Sequence, residues 1–190
     1  MTCGFIPCAD AGAKTPRGSM PRVFAAVKWR VLAGLALIAC CSLQMPTARA
    51  GALTRATAAY ARGDYIRAVN TLTPLALRGD ADAQAFLGFM YENGYGAPQA
   101  YDAAADLYIQ AACLGNPFGQ AMLGLMYDKG HGVPQDFILA YKWLNLAAAR
   151  APKRERDYFL RLRNAVASKM SADQIAVGQR LALLWAPGRP

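Results

Sequence analysis

Apolar residues fall at helical spacing through the middle of the chain. Ala83, Phe86-Leu87 and Met90-Tyr91 stand at i, i+3/i+4 and i+7/i+8, the stripe of a helix with one buried face. The pattern then repeats itself. Leu87-Gly88-Phe89-Met90-Tyr91-Glu92-Asn93-Gly94-Tyr95-Gly96 is answered 36 residues on by Leu123-Gly124-Leu125-Met126-Tyr127-Asp128-Lys129-Gly130-His131-Gly132. Pro98-Gln99 answers Pro134-Gln135, Ala104 answers Ala140, and Ala111-Ala112 answers Ala147-Ala148. A period of this length marks stacked helical units that bury a shared core. The predicted fold is all-α: an α-solenoid of antiparallel helix pairs with a helical cap at its carboxyl end.

The units predicted are about 51–79, 80–115 and 116–150, within a repeat region 51–150, followed by capping helices over 151–190. In the first unit, helical runs Ala52–Arg62 and Asp64–Leu77 flank Gly63. Gly79 and Gly115, one period apart, suit the left-handed stop of a helix. Asp80 suits an N-cap. Gly88 and Gly124 fall inside helices, where each costs about 0.8–1 kcal/mol relative to Ala. A cost accepted twice at one register implies close approach of the paired helix at Ala104 and Ala140. Phe137, Ala140, Trp143 and Ala147 are expected to face inward. Cys113 shares its slot with Leu77 and Ala149 and is expected to be a buried thiol spacer. Beyond Ala151-Pro152, Lys153–Met170 reads as a basic amphipathic helix. Ser171-Ala172-Asp173-Gln174 then forms a capping box opening the last helix.

The amino-terminal segment has a different character. Lys28 and Arg30 precede an apolar run, Val31 to Leu43, which ends at Pro46 and Ala48-Arg49-Ala50. This is the build of a secretory signal, expected to be cleaved after Ala50. Residues 1–50 are thus a leader and signal peptide, with Met20 an alternative start. Cleavage there implies a periplasmic or secreted product. Leu37-Ile38-Ala39-Cys40 loosely fits a lipoprotein box, which would leave the chain lipid-anchored at Cys40.

Charge adds little. The whole chain carries +9, yet residues 51–149 hold 6 basic against 8 acidic side chains. The excess sits in the leader and after Arg150, not along a face, which argues against a nucleic-acid partner. The five cysteines include four in the leader, so the processed chain would keep Cys113 alone and form no internal disulfide. His131 is the single histidine, so neither a zinc site nor a second base for a catalytic triad is available. No Ser-x-x-Lys acylation motif occurs, and the Gly-x-Gly turns lack the strand and third glycine of a phosphate cradle. Asp102 and Asp106, one turn apart, read as a solvated face. The Lys153–Arg163 run, with Glu155 and Asp157 inside it, reads as intrahelical pairing. No catalytic residue, metal ligand or cofactor site is expected.

On these residues the chain resembles the Sel-one-like repeat family, a branch of the tetratricopeptide-type helical repeats. Ala83, Leu87, Gly88, Met90, Tyr91, Gly94, Gly96, Ala104, Tyr108 and Ala111-Ala112 carry the resemblance in one unit. Leu123, Gly124, Met126, Tyr127, Gly130, Gly132, Val133, Asp136, Ala140, Trp143 and Ala147-Ala148 carry it in the next. Ala97 and Ala100 depart from the pattern, where Val and an acidic residue would stand. The segment from Met170 to Trp185 also resembles the tail of short exported bacterial members. The resemblance implies a protein-binding adaptor of the bacterial envelope. A cysteine-rich branch linked to penicillin binding implies, as an alternative, an accessory cell-wall enzyme, but this chain lacks the cysteines of that branch.

The framework residues Leu87, Gly88, Met90, Tyr91, Gly94, Gly96, Leu123, Gly124, Met126, Tyr127, Gly130, Gly132, Ala104, Ala140 and Trp143 are expected to build the scaffold. Contacts to a protein or peptide partner then fall to positions that differ between units. These are Phe89/Leu125, Glu92/Asp128, Asn93/Lys129 and Tyr95/His131, on the concave face. Phe89 and Leu125 equally suit filling the gap between repeats.

Overall fold

The described residues form eight helices and no strand. The structure is a computed structural model that describes residues 45–188, with side chains from Ala50. In order the helices are α1 (Met45–Ala61), α2 (Tyr65–Ala76), α3 (Ala81–Asn93), α4 (Tyr101–Cys113), α5 (Pro117–Lys129), α6 (Phe137–Arg150), α7 (Lys153–Ala167) and α8 (Ala172–Leu184). From α1 to α7 each helix packs on its neighbour in sequence, α3 also meets α5, and α8 returns to α6. This is the predicted solenoid: pairs α1–α2, α3–α4 and α5–α6, then α7 and α8 against α6.

The first described helix, α1, begins at Met45 and carries Pro46 in its first turn. A proline costs little there, because the first helical N–H groups lack an intrahelical partner in any case. The Ala50–Gly51 junction therefore lies inside α1. Residues 1–19, Met20, the apolar run and Cys40 lie outside the described residues.

Caps set the remaining boundaries. The Asp64 carboxylate accepts from the Arg67 N–H at 3.2 Å, and Asp80 from the Asp82 and Ala83 N–H groups at 3.1 Å. Asn116 accepts from Gly119 at 2.8 Å, and Asp136 from Ile138 at 2.8 Å and Leu139 at 3.0 Å. Ala100 holds nearly the backbone of Asp136, φ −147° against −151°, but has no side-chain cap. At α8 both halves of the capping box form: Ser171 Oγ accepts from Gln174 N, and Gln174 Oε1 from Ser171 N.

Why the pairs pack closely is visible at two glycines. A Cβ at Gly88 would stand 2.9 Å from Tyr108 Cε1 and 3.3 Å from the Ala104 carbonyl oxygen. At Gly124 it would stand 2.8 Å from Leu144 Cγ and 3.1 Å from the Ala140 carbonyl oxygen. Tyr108 and Leu144, like Ala104 and Ala140, are one period apart. Both helix pairs close on the same absence of a side chain.

The core runs in two clusters. Ala56, Ala68, Leu72, Ala83, Leu87 and Met90 build the first; Tyr108, Leu123, Met126, Leu144, Phe159 and Val166 belong to the second. Tyr91 packs against both and joins them. Cys113 is not the buried, unpaired spacer expected. It is half-buried at the end of α4 and disulfide-bonded. Its counterparts Leu77 and Ala149 are exposed, so the shared slot faces outward. Every other cysteine lies before residue 42, outside the described residues.

Candidate binding surface

Successive units are joined by contacts that repeat with the 36-residue period. Tyr95, between the two glycines of its turn, stacks on Tyr65 with ring centroids 4.8 Å apart; His131 meets Tyr101 at 4.6 Å. Tyr65 and Tyr101 open the second helix of the preceding unit. Gly96 and Gly132, at φ +74° and +66°, press the turn onto the same residues, so that a Cβ would enter the backbone of Tyr65 or Tyr101. The two turn aromatics are thus inter-unit staples. Gln84 and Gln120 make a second repeated link, through Nε2, to the carbonyls of Ala76 at 3.1 Å and Ala112 at 3.2 Å. A buried amide is costly without such partners.

Of the eight positions expected to meet a partner, several are engaged within the chain. Glu92 accepts from the Tyr108 hydroxyl at 2.8 Å. Burial above all, then the Glu92 charge and this bond, push the Tyr108 phenol well above its ordinary range. Asp128 pairs with Lys169 of the cap at 2.7 Å, and Asn93 donates to the Phe89 carbonyl at 2.8 Å. Lys129 is exposed, Leu125 half-buried. Phe89 and Tyr95 meet through their rings. They sit in an aromatic group with Tyr60, Tyr65, Phe86 and Phe118, at centroid distances from 4.8 to 6.4 Å.

That group runs across the first helices of all three units, from Tyr60 on α1 through Phe86 and Phe89 on α3 to Phe118 on α5. Alongside it lies a cleft of about 260 Å3 lined by Thr57, Asp82, Ala85, Phe86, Asn116 and Phe118. Its rim is polar: Asn116 Nδ2 donates to Asp82 Oδ1 at 2.7 Å. None of the lining residues is among the eight expected contact positions. The usable signal was present, since Phe118 occupies the position of Asp82 one unit earlier, and Met122 that of Phe86. Both pairs differ between units at one register.

Among the described residues no cluster of three His, Cys, Asp or Glu side chains could hold a metal ion, and no helix is long and apolar enough to cross a membrane. What the surface offers is an apolar, aromatic groove with a polar edge. The family model for the Sel1 repeat matches residues 81–116 and 117–151. The chain carries two Sel1 repeats. The matched segments are α3–α4 and α5–α6 with their loops.

Two solved structures share the fold. One is c5321, a protective antigen present in uropathogenic Escherichia coli strains and displaying an SLR fold, with TM-score 0.65, 24% identity and 70% of this chain covered. The other is a Sel1 repeat protein from Oxalobacter formigenes, with TM-score 0.50, 22% identity and 60% covered. The chain spans 29% and 54% of the lengths of these two proteins. No curated protein matches its sequence.

Proposed function

We propose that this chain is an exported, non-enzymatic scaffold of a bacterial envelope that holds a protein or peptide partner across the first helices of its Sel1 units. The observation that carries the reading is the cleft between Phe86 and Phe118, continuous with six aromatic side chains contributed by α1, α2, α3, α5 and the Gly94–Gly96 turn. Aromatic rings supply large contact area at small entropic cost and anchor interfaces. The polar rim of Asn116 and Asp82 would fix register, as polar groups do around an apolar centre.

Thr57 is exposed on α1 at the edge of this cleft, so Thr57→Arg obstructs it without touching the core. Crosslinking capture from envelope extracts should lose its specific partner with Thr57→Arg and keep it with Thr57→Ala. Equal capture by both variants would remove the cleft from the reading. Mass spectrometry of the mature amino terminus tests export separately: a chain starting at Gly51 supports cleavage, and a diacylglyceryl group on Cys40 supports an anchored form instead.

A further inference from the structure

A second cleft, of about 290 Å3, opens between α6 and α7 on Asn145, Ala148, Ala149, Arg156, Leu160 and Arg163. It shares no residue with the aromatic groove. Two guanidinium groups border it, and Ala148, Ala149 and Leu160 give it an apolar floor. The Arg163 guanidinium is held in place by neutral oxygens alone. Nη1 donates to Asn145 Oδ1 at 3.0 Å, while Nε and Nη2 donate to Asn164 Oδ1 at 3.2 and 2.9 Å. Its face also lies 5.9 Å from the Tyr141 ring. Arg156 reaches only the Ala151 carbonyl, at 3.4 Å. Among the described residues, the ion pairs join Arg67 to Asp64 and Lys169 to Asp128, and no carboxylate meets either cleft arginine.

We infer that this cleft binds the free carboxylate of a peptide carboxyl terminus whose last side chain is small and apolar. Of the five N–H donors of Arg163, three are spent on Asn145 and Asn164, which leaves one on each terminal nitrogen. Two donors match the two oxygens of a carboxylate, the geometry in which arginine is strongest. Arg156 across the cleft adds a second positive charge. A small side chain next to the carboxylate then rests on Ala148, Ala149 and Leu160. The volume is near the low end for ligand sites, so it admits a terminal residue or two and no more. An inorganic anion would use the arginines but leave the apolar floor unfilled.

The test is an NMR titration of the full chain with three probes: N-acetyl-Ala-Ala as the free acid, the same dipeptide as its carboxyl-terminal amide, and inorganic phosphate. The free acid should saturate with a Kd of about 1 mM, as a fragment of this size allows. It should move the Arg163 Nε–H and Asn145 side-chain signals. The amide should bind at least tenfold more weakly. Arg163→Gln should weaken the acid at least tenfold, whereas Arg154→Gln, exposed and outside the cleft, should leave binding unchanged. If Arg163→Gln disturbs the cap, Arg156→Gln serves, because Arg156 is exposed and its loss removes a single long bond, to the Ala151 carbonyl at 3.4 Å. Equal binding of acid and amide, tighter binding of phosphate, or an unchanged Kd in the arginine variants would each overturn the inference.

Discussion

The Tyr108 hydroxyl donates to Glu92 Oε2 at 2.8 Å, tying the second helix of one unit to the first across the gap left by Gly88. The phenol is buried and its pKa is raised from 10.0, so the folded chain keeps this proton where the unfolded chain releases it. A raised value contributes stability that is complete below the unfolded pKa and declines as pH rises above it. Unfolding free energy measured in denaturant should therefore fall from pH 10 upward. Tyr108→Phe should flatten that fall. At pH 7 the same variant should lose about 1.5–3 kcal/mol, the range for a hydrogen bond to a charged group.

Gly124 and Gly132 separate two kinds of crowding. Gly124→Ala gains helix propensity but drives a Cβ to within 2.8 Å of Leu144 Cγ, a side chain that can shift. Overpacking costs about 1–3 kcal/mol, against about 1 kcal/mol gained, so a small net loss is expected. Gly132→Ala meets the Tyr101 backbone at φ +66° and has no flexible neighbour to yield. Its loss in thermal or denaturant unfolding should be the larger of the two. A Gly132→Ala variant as stable as Gly124→Ala would contradict the staple.

Ala100 is a cap position without a cap. Its backbone nearly matches that of Asp136, which accepts two N–H bonds. Ala100→Asp should raise stability by about 0.5–2 kcal/mol. A neutral or negative result would show that the Ala100 backbone does not present its N–H groups as the Asp136 backbone does.

The Asp128–Lys169 pair, 2.7 Å long with Asp128 only 15% exposed, fastens the cap to the third unit. Lys169→Met should cost about 1 kcal/mol or less, as partly exposed pairs do. Above 0.5 M salt the difference from the parent chain should shrink, which unfolding curves at two ionic strengths would show.

The period, the helix stops at Gly79 and Gly115, and the Ser171–Gln174 capping box could all be read from the chain, because each rests on contacts a few residues apart or on exact repetition. The approach of Ala104 to Gly88 could be read because a helix-interior glycine has a local cost that needs a cause. What escaped depends on how one unit sits on the next. Tyr95 reads in the sequence as a partner-contact position, yet it stacks on Tyr65, thirty positions earlier. Asp128 looked available to a partner, yet Lys169 takes it from forty-one residues away. Cys113 sat in a slot counted as apolar, but Leu77 in the same register is 83% exposed. Period alone does not tell which side of a helix the superhelix leaves outside. The cleft residues escaped for the same reason, since Thr57, Phe86 and Phe118 meet only once three first helices lie side by side.

The staples also have a direction. Tyr65 is covered by the turn of the second unit and Tyr101 by that of the third. Phe137 holds the same register in the third unit, but no further Gly-x-Gly follows it. Lys169 of the cap lies over its ring instead, 5.5 Å from the centroid. During synthesis from the amino end, each unit therefore stays unlatched until about thirty more residues have emerged. The cap lysine closes the last latch, so a chain cut between Phe137 and Lys169 leaves that ring open.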